Sequence, residues 1–223
     1  MKNGLIKSIW VIPPIVLFFL FSCASTQQKQ VESGDAEFYN SLGTASAEIG
    51  QYDKAMTYFN KAIEVNPRNA GYYNNRGNVY SRNKDQHDQA ISDFNKAIEI
   101  NPNLADAYSN RGIVYAERGQ YDKAMTDFDK ALEINPKFAM AYNNRGMANM
   151  AKGQYDEAIA DFNKALQINP MLALAYGNRG RAYYFKKEYD KSWEDIKKVQ
   201  ALGYQIPPEF LDDLRKASGR LKE

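Results

Sequence analysis

The chain closes four successive segments with the same Asn-Pro pair, and this regular spacing constrains its fold more than any other feature. The prolines, Pro67, Pro102, Pro136 and Pro170, are separated by 35, 34 and 34 residues. A fixed period of this size is typical of a repeat array, in which each unit buries its apolar face only against its neighbours. The 223 residues are therefore expected to form one elongated array.

Each copy carries the same residue types at matching offsets, in the pattern of two helices joined by a tight turn. In the central copy, Tyr108, Gly112 and Tyr115 recur at three- and four-residue steps, so they share one face of a first helix. This helix should stop near Gly119. Most of the 16 tyrosines fall on three positions of the repeat, which favours packing over ligand stacking.

The second helix of the central copy is expected to be capped by Asp122, a residue type that suits the N-cap. Asn135 suits a left-handed C-terminal cap, and Pro136 cannot continue the helix. The predicted inner stripe consists of Ala124, Phe128, Ala131 and Leu132.

A glycine lies inside the predicted first helix of every copy, where it costs about 1 kcal/mol relative to alanine. These residues are Gly43, Gly77, Gly112, Gly146 and Gly180. Because all five copies have a glycine here despite its cost, we predict that two backbones approach closely at this position. The partner of the glycine should be a small residue on the second helix. The expected partners are Ala55, Ala90, Ala124, Ala158 and Ser192.

These offsets resemble those of the tetratricopeptide repeat (TPR) very closely. The resemblance implies an all-α fold, an α-solenoid whose five helix-turn-helix units form a right-handed superhelix with a C-terminal capping helix. The units, here called copies one to five, are residues 36–69, 70–104, 105–138, 139–172 and 173–204. Copy two has one extra residue around Lys84 and Asp85, which should lie in the turn between its helices.

Residues 205–223 follow the last copy, which has lost the closing Asn-Pro pair. Pro207 and Pro208 are expected to open a last helix. Its apolar residues at helical spacing are Phe210, Leu211, Leu214, Ala217 and Leu221. We interpret this helix as a cap over the apolar face that a sixth copy would cover.

The N-terminal segment, residues 1–22, has the features of an export signal, with two lysines and then an apolar run. Its end, Leu20-Phe21-Ser22-Cys23, resembles a bacterial lipobox, which implies that Cys23 becomes the lipidated first residue of the mature protein. The alternative is an uncleaved signal anchor, although the run barely reaches the roughly 20 residues of a spanning helix. Residues 24–35 are polar and are interpreted as a flexible tether.

Composition excludes several kinds of site. Outside the two lysines of the signal, 27 basic side chains balance 27 acidic ones, so no basic stripe is available for nucleic acid. Cys23 is the only cysteine and His87 the only histidine, so His87 is expected to pack or lie on the surface. We expect no metal site, no cofactor and no small-molecule substrate.

Copies two to five place an arginine just before the first-helix glycine and an aspartate on the second helix. Copy one has Leu42 and Tyr58 at these two positions. Because both positions change together, we predict an ion pair across the helices of each later copy, replaced by an apolar contact in copy one. The pairs are Arg76 with Asp93, Arg111 with Asp127, Arg145 with Asp161 and Arg179 with Asp195. The alternative is an arginine row that binds anions.

A row of asparagines precedes these arginines by one position: Asn75, Asn110, Asn144 and Asn178. The first helices of TPR arrays line a concave groove, and this row resembles the asparagine ladder of the TPR superhelix in O-linked N-acetylglucosamine transferase. That ladder grips the backbone of extended peptides, for which an amide offers both a donor and an acceptor. The alternative is an ordinary surface row that binds water.

The expected lining of this groove changes from polar in copies one and two to apolar in copies four and five. Methionines beside aromatic residues make an adaptable apolar surface. The predicted groove residues are the four ladder asparagines together with Asn78, Met147, Met150, Arg181 and Tyr184. We expect a partner segment, extended or helical, with a large apolar residue at the apolar end.

The leading hypothesis is a non-catalytic adaptor that is tethered by lipid in a bacterial envelope and holds a protein or peptide partner in its groove. The resemblance implies roles in pilus assembly, outer membrane biogenesis or support of peptidoglycan enzymes. Ala24 is not the aspartate associated with inner membrane retention in enteric bacteria, which favours the periplasmic side of the outer membrane. The alternatives are a self-associating envelope protein and an accessory enzyme, although no catalytic constellation lies outside the repeat register.

Overall fold

The computed structural model describes residues 36–220, which divide into two compact units between Asn69 and Ala70. The predicted export signal, Cys23, the tether and Leu221 lie outside the described residues. None of the described helices is both long and apolar enough to cross a membrane.

The first unit is a pair of helices, α1 at residues 36–48 and α2 at Tyr52–Val65. The buried ring of Phe59 on α2 lies against Gly43 on α1. Copy one therefore holds its two helices together by an aromatic ring set against a glycine.

The second unit contains nine helices among its described residues, and consecutive helices pack against one another. They are α3 (Ala70–Tyr80), α4 (His87–Ile100), α5 (Ala105–Glu117), α6 (Tyr121–Ile134), α7 (Ala139–Ala151), α8 (Tyr155–Ile168), α9 (Ala173–Phe185), α10 (Tyr189–Ala201) and α11 (Pro208–Ser218). Each of copies two to five thus supplies one first helix and one second helix. The described residues form no strand, and the predicted all-α repeat fold is confirmed.

The extra residue of copy two lies in the turn between its helices, as predicted. A short 3-10 turn, Lys84–Gln86, follows α3, and α4 begins directly after it at His87. The insertion therefore leaves the packing positions of both helices unchanged.

In copies one to four, the atoms nearest the first-helix glycine belong to an aromatic ring, which was not predicted. In copy five the predicted small partner is confirmed, because the hydroxyl of Ser192 donates to the backbone carbonyl of Gly180 at 2.8 Å. A Cβ atom added at Gly112 would lie 2.8 Å from Cε1 and 3.0 Å from Cδ1 of Phe128. The same relation holds in three other copies for Phe59, Phe94 and Phe162. These rings are at most 1% exposed and occupy the space beside each glycine. The predicted alanine partners are also fully buried.

The predicted caps of the second helix of copy three were wrong. Helix α6 begins at Tyr121 after Gln120, without a side-chain cap, and Asp122 lies exposed in its first turn. Asn135 is extended, with φ of −128°, and its Oδ1 accepts a hydrogen bond from the backbone N–H of Lys137 at 3.1 Å. The cause is the following proline, because steric contact with its ring pushes the preceding residue towards extended geometry.

In copies one, three, four and five, the turn between the two helices contains a residue in the left-handed region. Gly119 and Gly153 supply it with φ of 70° and 77°, but the equivalent residue of copy five is Lys187, with φ of 64°. This conformation costs a residue with a side chain about 1–2 kcal/mol, partly offset because glycine loses more entropy on folding.

We therefore expect Lys187→Gly to raise the free energy of unfolding in urea by about 0.5–1 kcal/mol. The matched variant Gly153→Lys introduces the same strain into copy four and should lower it. A loss of stability in Lys187→Gly would contradict the assignment of strain to this turn.

Ion pairs between residues 30 positions apart join each copy to the next along one edge of the second unit. The pairs are Asp88 with Arg118, Asp122 with Lys152, Asp156 with Lys186 and Asp190 with Arg220. The aspartates are 79–92% exposed, so each pair adds little stability. The pairs do show which repeat position α11 occupies. Arg220 after α11 corresponds to Lys186 after α9, so α11 takes the place of a sixth first helix.

The cap helix α11 begins at Pro208, as predicted, and Leu214 is its fully buried residue. Phe210 and Leu211 are half-buried, whereas Ala217 is exposed. The indole N–H of Trp193 on α10 donates to the hydroxyl of Ser218 at 3.1 Å. The end of α11 is therefore attached to the last second helix.

Candidate functional site

All four predicted arginine–aspartate pairs are present, each joining the two helices of one copy. The distances from Nη2 to Oδ1 lie between 2.5 and 2.7 Å. In copy three, Arg111 donates from Nε and Nη2 to the two carboxylate oxygens of Asp127, at 2.8 and 2.7 Å. The Asp127 side chain is 6% exposed and that of Arg111 18%, so this bidentate pair is largely removed from water.

The arginines of copies three to five also bond to the preceding copy, which was not predicted. Nη1 of Arg145 donates to Asp129, on the second helix of the preceding copy, at 2.6 Å. The equivalent bonds join Arg111 to Asn95 and Arg179 to Asn163. Guanidinium carbons lie 5.5–5.7 Å from the ring of the tyrosine three residues earlier, within the range of a cation–π contact. The sequence signal for these acceptors is that a polar residue, Asn95, Asp129 or Asn163, stands two positions after the paired aspartate of the preceding copy.

Electrostatics support a structural role for these arginines. The hydrogen bond to Asp127 raises the pKa of Arg111. Burial raises the pKa of Asp195, and the hydrogen bond from Arg179 opposes that rise. Because the donors of each arginine are used within the array, binding an anion would require these bonds to break.

The predicted asparagine ladder lies on the first helices and is half-buried. Nδ2 of Asn110 donates to Oδ1 of Asn74 on the preceding first helix at 3.0 Å, and Nδ2 of Asn178 donates to Oδ1 of Asn143 at 2.9 Å. Asn144 accepts a hydrogen bond from Asn143 at 3.3 Å. Asn110 and Asn178 therefore link neighbouring first helices, which leaves only part of each of these two amides to meet a peptide.

The outer side chains of α5, α7 and α9 form a surface that we call the first-helix face. It consists of Asp106, Asn110, Ile113, Glu117, Met140, Asn144, Met147, Ala151, Leu174, Asn178, Arg181 and Phe185. Its acidic residues lie on α5, and its large apolar residues are concentrated on α7 and α9. Met147 is 46% exposed, Leu174 61% and Phe185 48%. Five predicted groove residues, Asn110, Asn144, Asn178, Met147 and Arg181, belong to this face.

The other predicted groove residues of copies four and five lie beside this face and turn towards neighbouring helices. Met150 is half-buried and packs against the buried cluster that includes Phe162 and Ala182. The ring of Tyr184 lies 5.5 Å from that of Phe210 on α11. Both residues come three positions after a member of the face, which directs them towards the next helix along the array. Asn75 and Asn78 are half-buried on α3.

A cavity of about 750 Å³ opens where α9, α10 and α11 meet. Leu174 and Phe185 line it from α9, and buried Ile196 and Val199 line it from α10. Its volume falls within the roughly 300–1,000 Å³ of sites that hold drug-sized ligands. The predicted groove residues Asn178, Arg181 and Tyr184 also line it.

His87 packs inside the second unit and is 5% exposed. Its Nε2 lies 3.3 Å from Oε2 of Glu117, without hydrogen-bond geometry. Within residues 36–220, no group of three or more His, Cys, Asp or Glu side chains is arranged to hold a metal ion.

Family models agree with the helix pairs. A model of the tetratricopeptide repeat matches residues 105–138 and 139–172, and a second model, of the TPR repeat, matches residues 43–84 and 82–118. Together they extend over residues 43–172, which is more than half of the chain. The human small glutamine-rich tetratricopeptide repeat-containing protein alpha is 35% identical over 63 residues, which are 28% of this chain and 20% of that protein. The chain thus spans a fifth of that relative.

Solved structures with similar folds extend over most of the chain. PilF of Pseudomonas aeruginosa has a TM-score of 0.75 at 19% identity, covering 84% of this chain and 86% of its own. PilW, described as a widely conserved type IV pilus biogenesis factor, has a TM-score of 0.75 at 22% identity, covering 82% and 86%. YrrB, described as a TPR protein with an unusual peptide-binding site, has a TM-score of 0.59 at 24% identity, covering 88% and 97%. At these identities the likeness concerns the fold.

Proposed function

Because this chain belongs to the tetratricopeptide repeat family, we propose that it is a non-catalytic scaffold that holds a partner protein on its first-helix face while a lipid on Cys23 tethers it to the bacterial cell envelope. Proteins of this family generally mediate protein–protein interaction. The partner-binding surface is the apolar part of the face, on α7 and α9, together with the cavity beside α11.

The observation that carries this proposal is the exposure of large apolar side chains along one face. Leu174 and Phe185 are each about half exposed or more, and both border the cavity. Contiguous apolar surface beside a concave site is typical of a site that binds a protein. The arginines and part of the asparagines serve the array itself, so the apolar residues are the main candidates for contact with a partner.

Placement in the envelope rests on the lipobox-like sequence that ends at Cys23. The tether of 12 residues could extend to roughly 40 Å, so the array can stand clear of the membrane that anchors it. The outer membrane, on its periplasmic side, is the proposed location. The description of PilW as a pilus biogenesis factor is consistent with a role in envelope assembly or secretion.

Site-specific photocrosslinking in the bacterial envelope tests the proposed binding surface. We expect a photoreactive phenylalanine analogue at Leu174 to give a crosslinked partner, because this side chain is exposed on the apolar face. Ala160, exposed on the second helix α8, provides the control position and should give none. A partner captured only from Ala160 would contradict the proposal, and a product with twice the mass of the chain would indicate self-association.

Replacement of Cys23 tests the tether. Without its thiol the chain cannot accept a thioether-linked lipid, so we expect Cys23→Ser to remain as an unprocessed precursor of higher mass. The wild-type protein should incorporate labelled palmitate and fractionate with the outer membrane after carbonate washing. Unlabelled wild-type protein of precursor size would show that the segment remains as an uncleaved anchor.

A further inference from the structure

The cavity beside α11 has an uneven charge distribution at its rim. Glu209 and Asp213, four residues apart on one face of α11, both line it and are exposed. Arg181 on α9 is the cation on the opposite wall. Within residues 36–220, none of the three forms an ion pair. The neighbouring side chains therefore leave the acidic pair on α11 unneutralised.

Two like charges four residues apart on a helix repel each other and slightly destabilise it. A cation placed between Glu209 and Asp213 would remove that repulsion. The other aspartate of this segment, Asp212, already has Arg215 at 2.9 Å, so it needs no partner. The two acids of α11 without an ion pair are those that face the cavity, and they outnumber the one cation of its lining, Arg181. The α11 side of the cavity therefore favours a partner with positive charge.

The interior of the cavity selects apolar side chains. Leu174, Phe185 and Tyr204 are 48–61% exposed around it, and Phe210 and Ile206 contribute further apolar surface. At about 750 Å³ it has room for more than one large side chain of a partner. The aromatic rings are held by their neighbours, because Phe185 stacks on Tyr155 with ring centroids 5.4 Å apart.

From this combination we propose that the cavity binds a partner segment in which large apolar residues are flanked by lysine or arginine, with the basic residues facing Glu209 and Asp213. This rests on the proposed function and specifies the chemistry of the partner. The apolar side chains enter between α9 and α11 and provide most of the affinity. The basic residues set the specificity and the orientation.

Fluorescence anisotropy with three labelled 12-residue peptides tests the proposal on the full-length protein in mild detergent. The peptides share a central leucine and phenylalanine, four residues apart, and carry lysine, serine or glutamate at the flanking positions. We expect the lysine peptide to bind about tenfold more tightly than the glutamate peptide, because two exposed charge contacts change sign. Added salt should reduce this preference.

The double variant Glu209→Lys/Asp213→Lys should reverse the order of the lysine and glutamate peptides. A reversal cannot arise from partial unfolding, which would weaken both. The matched control, Glu64→Lys/Glu157→Lys, changes the net charge equally at exposed positions of second helices and should keep the wild-type order.

Equal binding of the three peptides, or an unchanged order in the double variant, would overturn the assignment of charge. Absence of peptide binding, with Leu174 still crosslinking an envelope protein, would overturn this inference and leave the proposed function standing. Loss of both the crosslink and the peptide binding would count against both proposals.

Discussion

Replacement of Asp127 by alanine is expected to lower the free energy of unfolding by about 3–5 kcal/mol, as is typical when one partner of a buried ion pair is removed. Arg111 would lose its two hydrogen bonds to the carboxylate, at 2.8 and 2.7 Å, while its side chain stays 18% exposed. An unneutralised guanidinium would then remain between two helices. Circular dichroism in urea measures the loss, and hydrogen exchange should show it first in α5 and α6.

Two variants separate this charge effect from a general effect of mutation. Asp122→Ala on the same helix removes an aspartate that is 92% exposed, and it should lower the free energy of unfolding far less than Asp127→Ala does. The double variant Arg111→Leu/Asp127→Tyr installs the residues that copy one has naturally, Leu42 and Tyr58. Because an apolar pair can replace a buried ion pair at little cost, it should recover most of the stability. A double variant as unstable as Asp127→Ala would contradict this explanation.

Gly112→Ala is expected to lower the free energy of unfolding by about 1–3 kcal/mol through overpacking, although alanine favours the helix by about 1 kcal/mol. The added methyl group would lie 2.8 Å from Cε1 of Phe128, inside normal contact distance. The ring is 1% exposed and cannot move into solvent. Urea denaturation of the variant measures the net effect.

Copy five provides the natural control for this prediction. Isoleucine, Ile196, replaces the phenylalanine there, and a Cβ atom added at Gly180 would lie 3.3 Å from Cβ of Asp195 as its nearest contact. Gly180→Ala should therefore change stability by less than about 1 kcal/mol, since helix propensity offsets the smaller strain. Adding Phe128→Ile to Gly112→Ala should restore part of the lost stability. A greater loss of stability in Gly180→Ala than in Gly112→Ala would contradict the role of the ring.

The sequence predicted the features that repeat within one copy. The helix pairs and the turn near Gly119 followed from periodicity, because the same residue types recur at the same helical positions. The arginine–aspartate pairs followed from a comparison inside the chain, since Leu42 and Tyr58 replace both partners in copy one. Each of these features depends on contacts within a single copy, and the same residue types recur in several copies.

Features that depend on exact geometry or on neighbouring copies were missed. The extended Asn135 reflects the proline that follows it, and the neighbour of Gly112 depends on how the ring of Phe128 is oriented. Hydrogen bonds such as that from Asn110 to Asn74 cross between copies and have no signature in a single period. The cavity is bordered by residues 204–207, a linker that occurs once in the chain and therefore has no pattern to compare.

These contacts change which residues are the main candidates for binding a partner. The asparagine row, expected to grip a peptide backbone, uses part of its hydrogen-bonding capacity to connect first helices. The apolar residues at the C-terminal end of the array, with the acidic pair on α11, offer the more complete recognition surface.

Methyl NMR of the six methionines that follow Cys23 tests the central claim, binding at the first-helix face, most directly and without altering that face. Met140 and Met147 belong to the face, whereas Met125 lies on the second helix α6 and Met56 on α2. On titration with the partner that crosslinks to Leu174, the methyl signals of Met140 and Met147 should shift while those of Met125 and Met56 stay in place. Shifts at Met125 or Met56, with none at Met140 and Met147, would contradict the account and assign binding to the second helices.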